Sequence, residues 1–342
     1  MPTKIGTIKA SLLKELNEEL DCKLAAPKAK DVKQFAQAYY GAASESDIEA
    51  WRVDDLYGAT LESWQFIQTY QGETPAVRVF NPRYEESGWQ STHTFIEILQ
   101  RDKPFLVDSL RMELNRRNLS IHAINNTVLT NVRDASGKLI KLNASAETAN
   151  VSAESLISVE FDRHSNTDQL EDLRDTVVEI LNEVIVVVSD FDAMVEHCGV
   201  AAKSFSKKIP GVSNDDLTET YEFLVWLQDH FTFLGYDEYK VITKSEQTEL
   251  IARVALVAIK GSQLGLLKKN GNEYCKTRLY HEISEDVSSN NNDVITFTKA
   301  MAKSRIHRPA YPDYISIKKF DSDGKWVGEI RFLGQYTSAV YN

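Results

Sequence analysis

The first seventy residues carry apolar side chains at intervals of three and four, which is the spacing of one face of an α-helix. The first such stripe consists of Leu12, Leu13, Leu16 and Leu20. A second helix is predicted over "DVKQFAQAYYG", because Gly41 is a typical C-cap. Ser46 and Glu49 have the spacing of a capping box and predict that a third helix begins there. We therefore expect a helical N-terminal region over residues 1–70.

From residue 76 the apolar positions alternate, as they do in a half-buried strand. Two strands, "AVRVFNP" and "STHTFIEILQ", precede a helix, "FLVDSLRMELNRRN", and a third strand, "SIHAINNTVLTNVRD". A fourth strand, "LISVEFDR", follows the polar tract "NASAETANVSAES", and a helix begins near Thr167. This order predicts a ferredoxin-like α+β sandwich over residues 71–205, with helices on one face of an antiparallel sheet. The run at 185–191 fits either a closing strand or a continuing helix.

The segment "KSFSKKIPGVSNDD" has the composition of a linker, and a second α+β module is predicted over residues 214–342. It opens with the amphipathic helix "DLTETYEFLVWLQDH" and continues with the strand candidates "FTFLGYDEYKVI", "ITFTKA", "YISIKKFD" and "WVGEIRFLGQYT". The tetrapeptide "SDGK" between the last two strands predicts a hairpin turn. Because the sequence stops directly after a strand, we expect the native chain to continue beyond Asn342.

The charge balance disfavours nucleic acid or an anionic membrane as the main partner. The chain has 39 Lys and Arg against 50 Asp and Glu, a net charge of −11, whereas phosphate binding needs a positive surface. Cys22, Cys198 and Cys275 are far apart, which is typical of reduced thiols and not of a zinc site. No stretch approaches the roughly 20 apolar residues of a membrane span, so we expect a cytoplasmic protein.

Common glycine-dependent catalytic motifs are missing from the sequence. No two of the fifteen glycines are separated by a single residue, which excludes the GxGxxG turn of dinucleotide-binding domains. The sequence also lacks a P-loop, a zinc-binding HExxH and a GxSxG nucleophile elbow. We therefore expect no catalytic, cofactor-binding or metal-binding residues in this chain.

One short segment contains the residue types of a catalytic triad, at Asp102, Asp108, Ser109 and His122. An activated serine needs a base within hydrogen-bond reach and an oxyanion hole. Asp108 and Ser109 fall inside a predicted helix, and nothing in the sequence supplies a group of free backbone N–H donors beside them. We interpret Ser109 as a structural helix residue and His122 as a hydrogen-bonded strand residue.

A stronger functional candidate is the segment "RIHRPAYPDY", residues 305–314, in which two prolines stiffen the backbone between two strands. Arg305, His307 and Arg308 have the chemistry to bind a carboxylate or phosphate, and Tyr311 could line an apolar wall. The alternative is a rigid surface loop whose arginines pair with neighbouring carboxylates.

Three long segments carry a family resemblance: "VRVFNPRYEESGWQSTHTFIEILQRDKPFLVDSLRMELNRRNLSIH", "WLQDHFTFLGYDEY" and "HRPAYPDYISIKKFDSDGKWVGEIRFLGQYTSAVYN". In the same order, they resemble the amino-terminal part of the very large bacterial NAD-specific glutamate dehydrogenases, from about residue 30 to the end of the chain. That family carries its dehydrogenase domain far downstream. Its amino-terminal half resembles a series of ACT-type modules with a PAS-type module among them.

The resemblance implies an ACT-like domain over 71–205 and a PAS-like domain over 214–342. It further implies a non-catalytic regulatory and oligomerisation segment, whose partners are the downstream dehydrogenase domain and other subunits. NAD would bind the parent enzyme and not this segment. A stand-alone small-molecule sensor is the alternative.

One departure from the family pattern concerns a small-molecule effector. Amino-acid-binding ACT domains typically have a glycine-containing turn between the first strand and helix, where backbone amides meet the ligand. Here that junction is "LQRDKPF", and Pro104 removes a donor. Arg101 and Lys103 remain candidates for attracting an anion.

Overall fold

A computed structural model of the chain describes residues 7–41, 43–244, 253–268, 283–284 and 294–337. The chain divides into two compact units, Met1–Asn182 and Glu183–Asn342. The sequence-based division at 1–70, 71–205 and 214–342 is a finer one and stays a prediction. No described helix is long and apolar enough to cross a membrane.

Four helices open the first unit and pack around a common apolar cluster that includes Leu16, Leu20 and Phe35. They are α1 (Thr7–Lys23), α2 (Ala26–Gly41), α3 (Glu45–Ile48) and α4 (Val53–Phe66). The predicted capping box is wrong. Glu49 is the C-cap of the one-turn α3, and the Ser46 hydroxyl bonds Asp47 and the Ser44 hydroxyl. The longer helix starts only at Val53.

The predicted strands and helices of the first sheet are present in the predicted order, together with a one-turn helix and a three-residue strand that the sequence did not predict. The elements are β1 (Ala76–Phe80), α5 (Tyr84–Ser87), β2 (Thr94–Arg101), α6 (Leu106–Arg116), β3 (Ile121–Arg133), β4 (Leu139–Lys141), β5 (Val151–Phe161) and α7 (Thr167–Phe205). The strands pair antiparallel in the order β1-β2-β5-β3-β4. Because β5 lies between β2 and β3, the unit β2-α6-β3 is a split βαβ arrangement, as in ferredoxin-like folds. The polar tract before β5 is shorter than expected, since the strand already begins at Val151.

At the centre of this sheet, on β2 and β5, both faces are buried, whereas the sequence predicted helices on one face only. On β2, seven successive residues from Thr94 to Gln100 are buried. The face that carries Leu99 packs against the N-terminal helices together with Leu129 and Leu156. The opposite face carries the buried Ile96, Ile98 and Ile157. The helices α6 and α7 lie side by side, because Arg117 at the end of α6 donates to Asp172 Oδ2 at 2.7 Å and to Thr176 Oγ1 at 2.8 Å on α7.

Residues 185–191, which the sequence left open, belong to the continuous helix α7. The C-terminal part of α7 packs in the second unit with α8 (Asn214–His230), and the Ser213 hydroxyl caps α8 by accepting from the Asp216 N–H at 3.1 Å. Their buried side chains include Met194, Cys198 and Leu224.

The second unit is rich in β-structure, as predicted. Its strands are β6 (Phe231–Lys244), β7 (Arg253–Ala258), β8 (Leu264–Gly265), β9 (Ile283–Ser284), β10 (Ile295–Lys299), β11 (Asp313–Phe320) and β12 (Trp326–Tyr336), with a 3₁₀ turn at Leu266–Lys268. Among the described residues they form one antiparallel sheet in the order β10-β11-β12-β6-β7-β9, and β8 pairs with β6. The predicted hairpin is present, with Gly324 at φ +78°. The PAS-like interpretation of this unit stays a prediction.

Candidate ligand-binding and contact sites

The first unit contains a cavity between the N-terminal helices and the sheet, with a row of polar side chains as its floor. Arg78, Glu97, Ser158 and Asn125 are direct cross-strand partners on β1, β2, β5 and β3. Side chains opposite one another in neighbouring strands lie on the same face of a sheet. The row therefore crosses the sheet beneath the N-terminal helices, and its Glu97, Ser158 and Asn125 line the cavity.

Glu97 is a carboxylate in the interior of the unit, 2% exposed. Its Oε2 accepts from Arg78 Nε at 2.8 Å and Nη2 at 2.5 Å, and its Oε1 accepts from the Ser63 hydroxyl at 2.5 Å. Arg78 also donates to Glu62 Oε1 at 3.1 Å, and the Trp89 indole N–H donates to Glu62 Oε2 at 2.5 Å. Because a buried charge is costly unless paired and hydrogen-bonded, these bonds allow Glu97 to lie in the core.

Aromatic side chains form the walls of the cavity. The Trp51 and Trp89 rings stack at a centroid distance of 5.5 Å, and Phe95 meets Trp89 edge-to-face at 5.2 Å. Gly58 on α4 permits the close approach of Trp89, because a Cβ at Gly58 would lie 2.6 Å from Trp89 Cβ. The cavity has a volume of about 60 Å³.

Tyr39 and Tyr40 complete the wall on the side of α2. Burial raises the pKa of both hydroxyls well above the usual value, and the nearby Glu97 carboxylate raises the pKa of each further. Both hydroxyls therefore stay protonated: Tyr39 hydrogen-bonds with Ser158 and Ser63, and Tyr40 with Thr60. An apolar pocket with a few converging polar groups is the usual form of a small-molecule site.

Sequence reasoning missed this cavity. The available signal was Glu97 itself, an acidic residue inside the apolar strand sequence "TFIEIL". A carboxylate at a buried strand position requires a partner, and the partner Arg78 occupies the preceding strand. The wall residues come from segments far apart in the chain, and no local spacing connects them.

The predicted loop residues Arg101 and Lys103 do not lie in one pocket. Arg101 is exposed and lines a polar pocket with Arg133, Tyr70 and Gly72, whereas Lys103 is not among the residues of that pocket. The Arg101 backbone N–H donates to the Tyr70 hydroxyl at 3.2 Å.

Arg133 in the same pocket is bound to protein groups. It donates from Nε and Nη2 to the two carboxylate oxygens of Glu154, both at 2.8 Å. Its guanidinium also donates to the carbonyls of Gly137 and Ile67. Arg101 is therefore the cation in this pocket that is better exposed to an anion.

The loop between β10 and β11 holds the other predicted residues. Arg305 pairs with the buried Glu183 of α7, with Nη2 at 2.5 Å from Oε1. Arg308 donates to the Tyr336 carbonyl, and its own carbonyl accepts from Gln335 Nε2 at 3.0 Å. His307 has a positive φ of 66°, and the Tyr311 side chain is exposed. In this loop, Arg305 and Arg308 each bind a protein group.

The serine and histidine of the imagined triad lie in different environments. Ser109 is fully buried in α6, and its hydroxyl has no hydrogen-bond partner among the residues that the structure describes. His122 is exposed on β3, where its Nε2 lies 2.8 Å from Asp162 Oδ1 and its ring lies 4.3 Å from that of His93. Asp102 accepts from the Ser155 hydroxyl at 2.6 Å. Within the described residues, no group of His, Cys, Asp and Glu has the geometry of a metal site.

Comparison with known proteins identifies the family. The family model described as glutamate dehydrogenase, ACT1 domain, matches residues 35–177, which include the cavity and the first sheet. The NAD-specific glutamate dehydrogenase of Halomonas elongata is 45% identical over 335 residues, covering 97% of this chain and 20% of that protein. The enzyme of the same name from Pseudomonas aeruginosa is 38% identical over 336 residues, with coverages of 98% and 20%. The chain thus spans about a fifth of the length of these curated relatives, and it belongs to the NAD-specific glutamate dehydrogenases as their amino-terminal part.

Proposed function

We propose that this chain is a non-catalytic regulatory and oligomerisation segment of a cytoplasmic NAD-dependent glutamate dehydrogenase. The parent enzyme would convert L-glutamate to 2-oxoglutarate and ammonium by hydride transfer to NAD. Its dehydrogenase domain and other subunits would be the partners of this segment. The proposal is supported by the coverage of the two relatives: this chain matches only about one fifth of each of these much longer dehydrogenases. The chain itself has no GxGxxG turn.

The cavity gives the regulatory part of the proposal a physical basis. A ligand bound there would contact the N-terminal helices through Trp51 and Tyr39, and the sheet through Glu97 and Ser158. Binding would stabilise the arrangement of helices and sheet that contains the cavity. In the parent enzyme, any difference in ligand affinity between two states would shift their populations. Residues 214–342 would form a PAS-like module within the same regulatory region.

The experiment that tests the absence of catalysis uses the purified chain beside the full-length parent enzyme. Glutamate-dependent formation of NADH is followed by absorbance, and NAD binding by calorimetry. We expect turnover and NAD binding from the parent protein only. Measurable turnover by the chain alone, at a rate that scales with its concentration, would overturn the proposal.

The regulatory role is tested in the full-length enzyme with the cavity filled by Ala123→Leu. Ala123 lines the cavity on β3 and carries no charge. We expect basal turnover to be retained, and the response to added metabolites or the subunit stoichiometry in light scattering to change. Ile140→Leu, at an exposed position on β4, is the control. Identical responses and stoichiometry in all three proteins would contradict a regulatory role for the cavity.

The alternative function, a stand-alone small-molecule sensor, draws on the same cavity. The native gene beyond the codon for Asn342 distinguishes the two functions. A stop codon directly after Asn342 would favour the sensor, and an open reading frame into a dehydrogenase domain would favour the regulatory segment.

A further inference from the structure

We infer that the cavity of the first unit binds a small amine with an apolar body, held between the carboxylates Glu97, Glu160 and Asp47 and the aromatic walls of Trp51, Trp89 and Phe95. This inference rests on the proposed regulatory function and specifies the class of its effector. The evidence is the charge, the hydrogen-bonding capacity and the size of the cavity.

The charged residues that line the cavity are all acidic. Glu97 lies in the floor of the cavity, and Glu160 lies two residues beyond Ser158 on β5. Asp47 lies on α3 and is half-buried. Within the described part of the chain, no Lys, Arg or His belongs to the lining. Arg78 and His93 bind Glu97 and Glu160 from outside that lining, with His93 Nδ1 at 2.5 Å from Glu160 Oε1. The cavity therefore presents carboxylate oxygens to its occupant, and Arg78 balances the charge of Glu97 from outside the lining.

The floor also offers hydrogen-bond acceptors for an ammonium group, which has three donors and no acceptor. Asn125 donates its amide to the Tyr39 carbonyl at 2.7 Å, so its Oδ1 remains an acceptor. Glu160 uses Oε1 for His93, and its second oxygen is a further acceptor. A carboxylate ligand would meet the same oxygens and be repelled, since none of the described residues that line the cavity is a cation able to pair with it. Glutamate and 2-oxoglutarate are thus poor candidates for this site.

The walls and the volume define the rest of the ligand. A volume of about 60 Å³ holds on the order of four water molecules. This is room for a short alkyl chain and not for a ring, since a cavity that holds benzene measures about 150 Å³. The Trp51, Trp89 and Phe95 rings supply apolar contact for that body, and aromatic faces also attract a cation.

The experiment titrates the chain with n-propylammonium and n-butylammonium, with propionate and butyrate as anions and 1-propanol and 1-butanol as neutral analogues. Thermal midpoints and tryptophan fluorescence are the readouts, because Trp51 and Trp89 lie in the walls. We expect a saturable rise of the midpoint with the amines and none with the carboxylates. The alcohols should bind at least tenfold more weakly than the matching amines.

Variants locate the binding. The double variant Asp47→Asn and Glu160→Gln keeps the shape of the lining and removes two charges, and it should weaken amine binding at least tenfold. Glu85→Gln, which removes one exposed charge on α5, is the control and should bind as the wild type does. Ala123→Leu fills the cavity and should abolish binding. Thermal midpoints measured without ligand show whether each variant is folded. If the double variant does not fold, the single variant Asp47→Asn, at a half-buried position, replaces it.

Two results would overturn the inference. One is amine affinity that is unchanged in the charge variants and in Ala123→Leu. The other is binding of the alcohols or carboxylates as tightly as the amines. In the second case the cavity would still be a ligand site, and the regulatory proposal would stand. That proposal is tested separately, by the turnover assay of the isolated chain.

Discussion

Arg78 on β1 binds Glu97 on β2 through two guanidinium nitrogens, at 2.8 and 2.5 Å from a single carboxylate oxygen. The two residues are direct cross-strand partners, and the Arg78 guanidinium also lies 4.4 Å from the centre of the Phe80 ring. This pair places a carboxylate in the floor of an aromatic cavity without leaving a buried charge uncompensated. The stability of the first unit and the character of the cavity therefore depend on the same two side chains.

Glu97→Ala should destabilise the protein strongly. The change leaves the partly buried Arg78 without one of its two carboxylates and the buried Ser63 hydroxyl without its acceptor. Breaking a buried pair costs about 3–5 kcal/mol, so we expect a loss of about 3 kcal/mol in the free energy of unfolding. Urea denaturation measures it. Glu86→Ala removes the exposed pair with Arg83 and should change stability by less than about 1 kcal/mol. Equal effects of the two changes would contradict this account.

Substitution by alanine should change the stability of the protein differently at Ser109 and at Ser63, because only the Ser63 hydroxyl donates a hydrogen bond to a described residue. Ser109→Ala removes a buried hydroxyl that has no partner in the described part of the chain, and we expect stability to stay equal or rise by about 1 kcal/mol. Ser63→Ala removes the donor to Glu97 and should cost about 1–3 kcal/mol. Thermal and urea unfolding of both variants provide the comparison. A large loss of stability in Ser109→Ala would show that its hydroxyl has a structural partner.

Gly137→Ala should be more damaging than Gly88→Ala, although both glycines have a positive φ, of 82° and 72°. Alanine in this backbone region costs about 1–2 kcal/mol at either position. At Gly137 the new Cβ would also lie 2.6 Å from the Tyr70 carbonyl oxygen, whereas at Gly88 it would have no described neighbouring atom within 4 Å. We expect Gly88→Ala to lose about 1 kcal/mol and Gly137→Ala about 3 kcal/mol or more. Chemical denaturation checks the order, and similar losses would contradict the predicted clash.

Asp237 on β6 should make stability fall between about pH 4 and pH 6. Burial raises the pKa of this carboxyl to about 6 from the ordinary 3.8, although Arg331 opposite it acts to lower the pKa. The folded state therefore holds a proton that the unfolded state has released. The stabilisation from that proton is complete below pH 4 and is lost as the pH rises through 6. Two pKa units correspond to about 3 kcal/mol.

The variant Asp237→Asn tests this sign. It keeps a neutral side chain at every pH, so its stability advantage over the wild type should grow from pH 4 to pH 6 and level off above. Urea midpoints at several pH values measure the difference. The control Asp323→Asn changes an exposed loop carboxylate in the same unit and should follow the wild type. An advantage that shrinks as the pH rises would refute the assignment.

Cys22 and Cys198 should differ sharply in thiol reactivity. Cys22 is exposed, whereas Cys198 is fully buried in α7 and burial raises the pKa of its thiol to about 12. Because the thiolate is the reactive form, a thiol reagent should label Cys22 in the folded protein and Cys198 only after unfolding. Labelling in a Cys275→Ser background, followed by mass spectrometry, isolates the two sites. Rapid labelling of Cys198 in the folded protein would contradict its burial.

The periodicity of the sequence predicted the elements whose apolar residues are close in the chain. The helices α6 and α8 and the hairpin at Gly324 follow from spacings of three, four and two residues and from turn chemistry. The order of elements around β2 predicted the ferredoxin-like arrangement, because a split βαβ unit leaves few alternatives. The sequence also predicted that Ser109 lies in a helix and His122 in a strand, and both do.

Other features depended on contacts between distant parts of the chain. An uninterrupted apolar run fits a strand or a helix equally well, and packing made residues 185–191 helical. Ser46 and Glu49 had the spacing of a capping box, but the chain turns after α3 and the longer helix begins at Val53. Local preference was outweighed there by tertiary packing.

The cavity is the clearest product of tertiary structure. Glu97 by itself indicated a buried charge, yet its partners Arg78 and Ser63 lie 19 and 34 residues away. Strand register brings Glu97, Ser158 and Asn125 into one row, and register depends on the pairing of whole strands. The sequence by itself determined the helices and strands with a clear apolar period and the family, because these depend on local pattern and overall similarity. Only the folded chain decided which polar side chains share a cavity, because that requires the pairing of segments that no local spacing relates.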